Sequence, residues 1–213
     1  MFAFRKDNFS VDGFTEARLR LNLSLAELAS GLVSGTFIGT SMGWRDVAAV
    51  AVGDQVLTFD RGLQTVASVT HQQVSTRGSD SAIDSWLVHV PVGVLGNAEA
   101  ITLLPSQPVM IETDIAEEIF GDPFVAVTAL ALVGFGGIAQ VPPTTTTHII
   151  TLAFDRDEVV FANAGSLLVC PASTDLLDAH TRVYPTLTDS ISALLVNAMK
   201  IDRAAKDGYQ AAA

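Results

Sequence analysis

Two carboxylate-rich segments are the parts of this sequence best suited to bind a metal ion or to act as an acid–base pair. They are ETDIAEE at 112–118 and DRDE at 155–158. Calcium sites of the EF-hand kind space their acidic ligands around a glycine in a fixed loop, and neither segment has that pattern. We therefore expect a helix N-terminus at 112–118, a solvated turn at 155–158 and no metal site.

The other residues able to do chemistry are few. A single cysteine, Cys170, excludes an internal disulfide and a multi-cysteine metal site, and we expect it to be a small buried side chain. The segment GFGGIA at 134–139 lacks the GxGxxG spacing and the later acidic residue of a dinucleotide site, so we interpret it as a turn and predict no cofactor. We expect the histidines at strand edges or in loops: His71, His89, His148 and His180.

The composition narrows the classes of partner. Of 213 residues, 16% are charged and 49% are hydrophobic, whereas roughly 25% are charged in a typical soluble domain. The formal net charge of −11 disfavours binding to nucleic acid or to anionic membrane surfaces. The most apolar run, 124–141, is interrupted by Thr128, Gln140 and glycines, so no membrane-inserted segment is predicted. We interpret the low fraction of charged residues as a sign that other protein subunits cover apolar surface, in a homo- or hetero-oligomer.

The hydrophobic pattern predicts a β-rich centre. Residues 23–32 indicate a short helix that ends at Gly31. Between 35 and 104 the apolar residues alternate, which is typical of short strands, and Asp60-Arg61-Gly62 indicates a hairpin turn. We expect an exposed loop at 75–85.

The second half of the chain adds helices and further strands. Residues 113–123 predict a compact helix with Gly121 as its C-cap. The segment 148–171 predicts two strands around DRDE, and 188–206 predicts an amphipathic helix. Three apolar residues of that last helix are candidates for contact with a partner: Leu194, Leu195 and Ile201.

Several segments together resemble one fold family. The stretch GLVSGTFIGTSMGWRDVAAVAVGDQVLTFDRGLQTV resembles the opening of a Hint domain, the fold shared by inteins and hedgehog autoprocessing domains. More narrowly, it is similar to bacterial Hint-like proteins of marine alphaproteobacteria. Four later segments fit the same order: VPVGVLGN (90–97), ITLLPSQPVMI (101–111), GDPFV (121–125) and TLAFDRDEVVFANAG (151–165).

The resemblance implies a mainly β, pseudo-symmetric Hint-like fold with short helices, to which the sequence adds the C-terminal amphipathic helix. We predict three parts of the chain. They are an N-terminal arm with a short helix at 1–30, the Hint-like β-domain at 31–171, and a C-terminal extension at 172–213.

The resemblance also assigns the positions of a self-cleavage site, and this sequence departs from the family at each of them. The nucleophile position, four residues before the Gly-Thr pair, falls on Gly31, which has no side chain to attack a carbonyl. The Ser/Thr and His positions fall on Leu104 and Gln107, and glutamine does not exchange a proton near neutral pH. Thr151 and Asp157 stand where relatives often have histidine. No catalytic residue is therefore predicted.

The resulting prediction is a non-catalytic structural or interaction protein, such as a subunit of a phage or gene-transfer-like particle. Two alternatives stay open. One is an active self-cleaving protein that uses Ser30 or Ser34, and the other is a peptide- or sugar-binding module. The opening MFAFRKDNFS has no apolar run of signal-peptide length, so we expect cytoplasmic synthesis without a Sec signal. Incorporation into an extracellular particle or surface assembly would follow.

Overall fold

Short strands with one buried and one exposed face form most of the structure. The computed structural model describes residues 31–75, 86–143, 146–170, 172 and 185–211. Within these ranges the strands are β1 (Leu32–Val33), β2 (Phe37–Thr40), β3 (Gly43–Asp46), β4 (Gln55–Thr58), β5 (Gly62–Thr65), β6 (Ser68–Ser75), β7 (Leu87–Val90), β8 (Ile101–Leu103), β9 (Pro108–Glu112), β10 (Phe124–Thr128), β11 (Ala139–Val141), β12 (Thr146–Ala153), β13 (Glu158–Ala162) and β14 (Ser166–Cys170). The helices are α1 (Asp114–Phe120) and α2 (Asp189–Ala211).

The described strands form two antiparallel sheets. One has the order β11-β7-β8-β1-β12-β6, and the other has the order β10-β9-β14-β13-β2-β4-β5, with β3 paired to β2. In the first sheet Leu32 of β1 pairs with Leu103 on one side and Ile150 on the other. The residue before Leu32 therefore enters the middle of a sheet, between β8 and β12.

The hairpin predicted at Asp60-Arg61-Gly62 is confirmed, because Thr58 of β4 pairs with Gly62 of β5. The helix predicted at 113–123 is also confirmed as α1. The Thr113 hydroxyl accepts a hydrogen bond from the Ile115 N–H, and Gly121 ends the helix in the left-handed conformation at φ 77°.

The two strands predicted in 148–171 are corrected to three. The chain reverses between β13 and β14, where Asn163 and Ala164 have φ values of 43° and 64°. Gly165 follows them and packs so closely on the backbone of Gly96 that a Cβ would overlap the Gly96 carbonyl oxygen. An asparagine–alanine pair is a weak turn signal, which is why the reversal is not evident in the sequence.

The C-terminal helix α2 packs on the β-sheet domain. It lies against α1, β10 and the 3₁₀ turn at Ala129–Leu132, and its buried side chains belong to the main hydrophobic core. The Lys200 ammonium donates to the carbonyl oxygen of Val133 at 3.1 Å, and the Arg203 guanidinium lies 5.4 Å from the centroid of the Phe135 ring. Two cationic side chains of α2 therefore contact the predicted turn at 134–139 and the residue before it.

The predicted partner contacts of α2 are corrected in part. Leu195 is 1% exposed and packs in the core of its own chain with Val196 and Met199, because it projects from the inner side of the helix. Leu194 and Ile201 project outward and are each 72% exposed.

Most of the helix predicted at 23–32 lies outside the described residues, as do residues 76–85 of the predicted loop. The end of that predicted helix is described, and there Leu32 begins strand β1. Among the described residues, no helix is both long and apolar enough to cross a membrane.

Candidate functional site

Gly31 lies at the centre of the predicted site and is buried. A Cβ placed on this glycine would lie 2.6 Å from Cγ2 of Ile149, 3.2 Å from Oγ1 of Thr151 and 3.5 Å from Cδ1 of Leu104. Real Cβ atoms do not approach another carbon as closely as 2.6 Å. The surrounding side chains therefore occupy the space that a nucleophilic side chain would need.

Gln107 completes this group of side chains. It lies in the turn after β8, where its backbone N–H donates to the carbonyl oxygen of Leu104 at 3.1 Å. Its side-chain Oε1 accepts a hydrogen bond from the Gly31 N–H at 3.0 Å. Its Nε2 donates to the carbonyl oxygens of Val169 at 2.9 Å and Pro108 at 3.0 Å.

The direction of the hydrogen bond between Gly31 and Gln107 limits the chemistry that Gln107 can do. The Gly31 N–H belongs to the peptide bond that the resemblance identifies as the scissile amide. Expulsion of an amide nitrogen needs a proton delivered to it by an acid. Here the amide nitrogen is the donor and the glutamine oxygen the acceptor, and a carboxamide has no proton to exchange near neutral pH. The contact therefore holds the amide in place without activating it.

The structure brings four of the five predicted site positions together: Gly31, Leu104, Gln107 and Thr151. Asp157 has different contacts, because it lies in the connection between β12 and β13 and its Oδ1 accepts from the Ala172 N–H at 2.9 Å. Ser34 is exposed in the turn after β1, and its N–H donates to the carbonyl oxygen of His148. Ser30 lies outside the described residues.

The segment 155–158 differs from the expected solvated turn. Asp155 and Arg156 are exposed, but Glu158 is 1% exposed and forms an ion pair with Arg61 from the β4–β5 hairpin. This pair joins the two turns that the sequence showed as separate motifs.

Three of the acidic residues of 112–118 (Glu112, Asp114 and Glu118) border a cleft of about 480 Å³, which Asp202 and Lys206 of α2 also line. Within the described part of the chain, no cluster of histidine, cysteine or acidic side chains is arranged to hold a metal ion.

The buried thiol is chemically suppressed. Cys170, at the end of β14, is 3% exposed, and burial raises the pKa of its thiol to about 12. Since the thiolate is the nucleophilic form, this environment opposes reactivity. The prediction of a small buried side chain is confirmed.

A comparison with known protein families identifies the fold. The profile of the Hint domain matches residues 30–167. The chain belongs to the Hint domain family. The mainly β, Hint-like fold predicted from the sequence is confirmed, with two α-helices in the described residues, one of them C-terminal.

Solved structures of inteins and of an intein-like domain are similar to this Hint protein at low identity. The bacterial intein-like domain from Clostridium thermocellum is 14% identical, with a TM-score of 0.44, covering 65% of this chain and 97% of that one. The gp41-1 intein is 13% identical, with a TM-score of 0.40 and coverages of 67% and 98%. The MchDnaB-1 intein is 16% identical, with a TM-score of 0.39 and coverages of 64% and 98%. No curated protein matches the chain.

Sequence reasoning missed the groups of β12 and β14 that contact Gly31 and Gln107, namely the Ile149 side chain and the Val169 carbonyl oxygen. Ile149 and Val169 approach Gly31 and Gln107 only through strand pairing, and the sequence has no local signal for these contacts. The Arg61–Glu158 ion pair was missed for the same reason, since its partners are almost one hundred residues apart.

Proposed function

We propose that this Hint protein is a non-catalytic structural or interaction protein. The observation that carries the proposal is the packing of Gly31, which offers no nucleophile and lies so close to Ile149 that an added side chain would force the surrounding core to move. The hydrogen bond from Gly31 to Gln107 supports the same conclusion, because the residue at the histidine position only accepts a hydrogen bond from the amide N–H and has no acidic proton to give it.

The hydrogen bonds of Gln107 hold three parts of the chain together. Gln107 bonds to Gly31 just before β1, to Pro108 at the start of β9 and to Val169 near the end of β14. We infer that this position, degenerate in a chain that resembles bacterial Hint-like proteins of marine alphaproteobacteria, contributes to the stability of the fold and not to self-cleavage.

The proposed role within an assembly rests on the outer side of α2. Ile191, Leu194 and Ile201 are exposed on this helix, at spacings of three and seven residues that place them along one side. Together with the low charged fraction, this row supports contact with other protein subunits. A phage or gene-transfer-like particle, assembled after cytoplasmic synthesis, is one such assembly.

The test of inertness is the intact mass of the purified chain after incubation with a thiol or with hydroxylamine. We expect a single species of full mass, because neither reagent meets an ester intermediate. Gly31→Cys is the matched variant, and it should cleave weakly at most, since Gln107 remains. A fragment ending near Ser30 in the unmodified chain would instead establish the self-cleaving alternative.

The test of assembly is the native mass measured by light scattering. We expect an oligomer that Leu194→Asp dissociates into folded monomers, because Leu194 is exposed in the single chain and its substitution leaves the core intact. Leu195→Asp is the matched control at the neighbouring position and should unfold the chain, because Leu195 is in the core. A chain that is monomeric both when purified alone and when isolated from its native source would contradict the assembly proposal.

A further inference from the structure

The exposed face of one sheet carries a continuous row of apolar side chains. Phe37, Trp44, Leu57 and Leu63 are each between 38% and 48% exposed. The register places Leu57 opposite Leu63 and Trp44 opposite Gly39. The neighbouring residues Ile38 and Val56 are fully buried on the other face of the same strands.

Gly39 has no side chain, which allows Trp44 and Leu57 to approach each other across it. A Cβ on this residue would lie 3.6 Å from Cη2 and Cζ3 of Trp44 and 3.4 Å from Cβ of Leu57. The indole ring therefore extends across the glycine toward β4, an arrangement in which an aromatic side chain covers a neighbouring glycine. Trp44 is held in position by this packing while almost half of it remains open to solvent.

At one end the row opens into a cleft of about 280 Å³. Its lining consists of Phe37, Trp44, Ala98, Glu99, Asn163 and Ala164. Two aromatic side chains and one carboxylate thus line the same concave space, and among the described residues that line it Glu99 is the only ionisable one.

Hydrogen bonds hold one lining residue, Asn163, in place. The Asn163 side chain accepts from the Phe37 N–H at 2.8 Å and donates to the carbonyl oxygen of Ala100 at 3.1 Å. The next residue, Ala164, has a left-handed backbone at φ 64°, a conformation that is unfavourable for a residue other than glycine. Strained residues of this kind are retained where the surrounding structure fixes them, often beside a binding site.

The charge of the cleft selects its ligand. Glu99 is exposed, and none of the ion pairs seen among the described residues involves it. Arg45, on the same strand as Trp44, faces the other side of the sheet, where it binds Asp54 and the carbonyl oxygen of Ala49. An indole face beside an unpaired carboxylate attracts a cation that also carries apolar carbon atoms.

We propose that this cleft, between Trp44 and Glu99, binds a lysine or arginine side chain of a partner protein. The cationic end lies over the indole ring and against the Glu99 carboxylate, and the apolar residues next to it in the partner lie along Leu57 and Leu63. This inference deepens the proposed interaction role, and it is separate from the Gly31 site.

The test uses two small probes, N-acetyl-lysine N-methylamide and its uncharged counterpart N-acetyl-norleucine N-methylamide. Binding is followed by NMR through the indole N–H signals. The chain has two tryptophans, and Trp86→Phe assigns the signals, so that Trp86 serves as an internal reference. We expect the lysine probe to shift the Trp44 signal saturably, at a concentration at least about fivefold lower than the norleucine probe requires.

Two carboxamide variants separate the charge from the shape of the cleft. Glu99→Gln should remove most of the difference between the probes, whereas Glu112→Gln, an exposed carboxylate outside the cleft, should leave it unchanged. Equal binding of the two probes, or no shift at Trp44, would overturn the proposal. If the chain is an oligomer but does not prefer the lysine probe, only the proposal for the cleft is wrong. A monomer that keeps the preference overturns only the proposed assembly through α2.

Discussion

The backbone N–H of Gly31 donates a hydrogen bond to Oε1 of Gln107, 3.0 Å away. The two residues are 76 positions apart, and both are buried. The bond connects the start of β1 with the turn after β8. In this way a buried hydrogen bond joins the two positions that the resemblance assigns to a self-cleavage site.

The packing of Gly31 predicts that a larger residue is destabilising. Gly31→Ala should lower the free energy of unfolding by about 1–3 kcal/mol, because the added methyl group collides with Ile149 and the core must move. Denaturant unfolding measures this effect. In the Ile149→Ala background the same change should cost less, because the colliding atom is absent. Equal costs in both backgrounds would contradict the collision.

The hydrogen bonds of Gln107 predict a second effect on stability. Gln107→Leu keeps the approximate volume but leaves the Gly31 N–H and two carbonyl oxygens without this partner. The free energy of unfolding should fall by about 2–4 kcal/mol. Gln55→Leu is the control at an exposed glutamine and should change stability by less than about 0.5 kcal/mol. Similar effects of the two substitutions would show that the buried amide contributes little.

The ion pair between Arg61 and Glu158 predicts coupling between two distant turns. Arg61→Met leaves a carboxylate that is 2% exposed without its cation. We expect a loss of about 1–3 kcal/mol, below the range for a fully buried pair, because the Arg61 side chain is 35% exposed. Adding Glu158→Gln should recover part of the loss. Strictly additive costs in the double variant would show that the two residues are not coupled.

Burial of Cys170 predicts slow thiol chemistry and a dependence of stability on pH. A small thiol reagent should label the native chain slowly and the denatured chain quickly. Burial raises the pKa of the thiol from 9.0 to about 12, so the unfolded chain loses this proton at a lower pH than the folded chain. The stability that follows from the shift is complete below pH 9 and is lost as the pH rises toward 12.

The control for this dependence is Cys170→Ala, which lacks the thiol and should lose less stability over the same pH range. Thermal melting of both chains between pH 8 and pH 11 measures the difference. Fast labelling of the native chain, or identical pH profiles, would indicate an accessible thiol.

The sequence by itself determined the elements that depend on local patterns. Helix α1 follows from Thr113 at its start and Gly121 at its end, and the β4–β5 hairpin follows from Asp60-Arg61-Gly62. The order of the motifs was enough to indicate the Hint fold and to predict Gly31, Leu104, Gln107 and Thr151 as one group of positions, which the structure brings together. These signals lie within a few residues of one another, or in the order of motifs along the chain.

Tertiary structure decided everything that depends on residues distant in the chain. It placed Leu195 in the core and Leu194 in solvent, although the helical pattern treated them alike. It paired Glu158 with Arg61, and it set Trp44 across Gly39 beside Glu99. Which side of an amphipathic element is buried, and which charge finds a partner, depends on the surface packed against it. That surface is created by strand pairing and helix docking, so it is not encoded in the neighbouring residues alone.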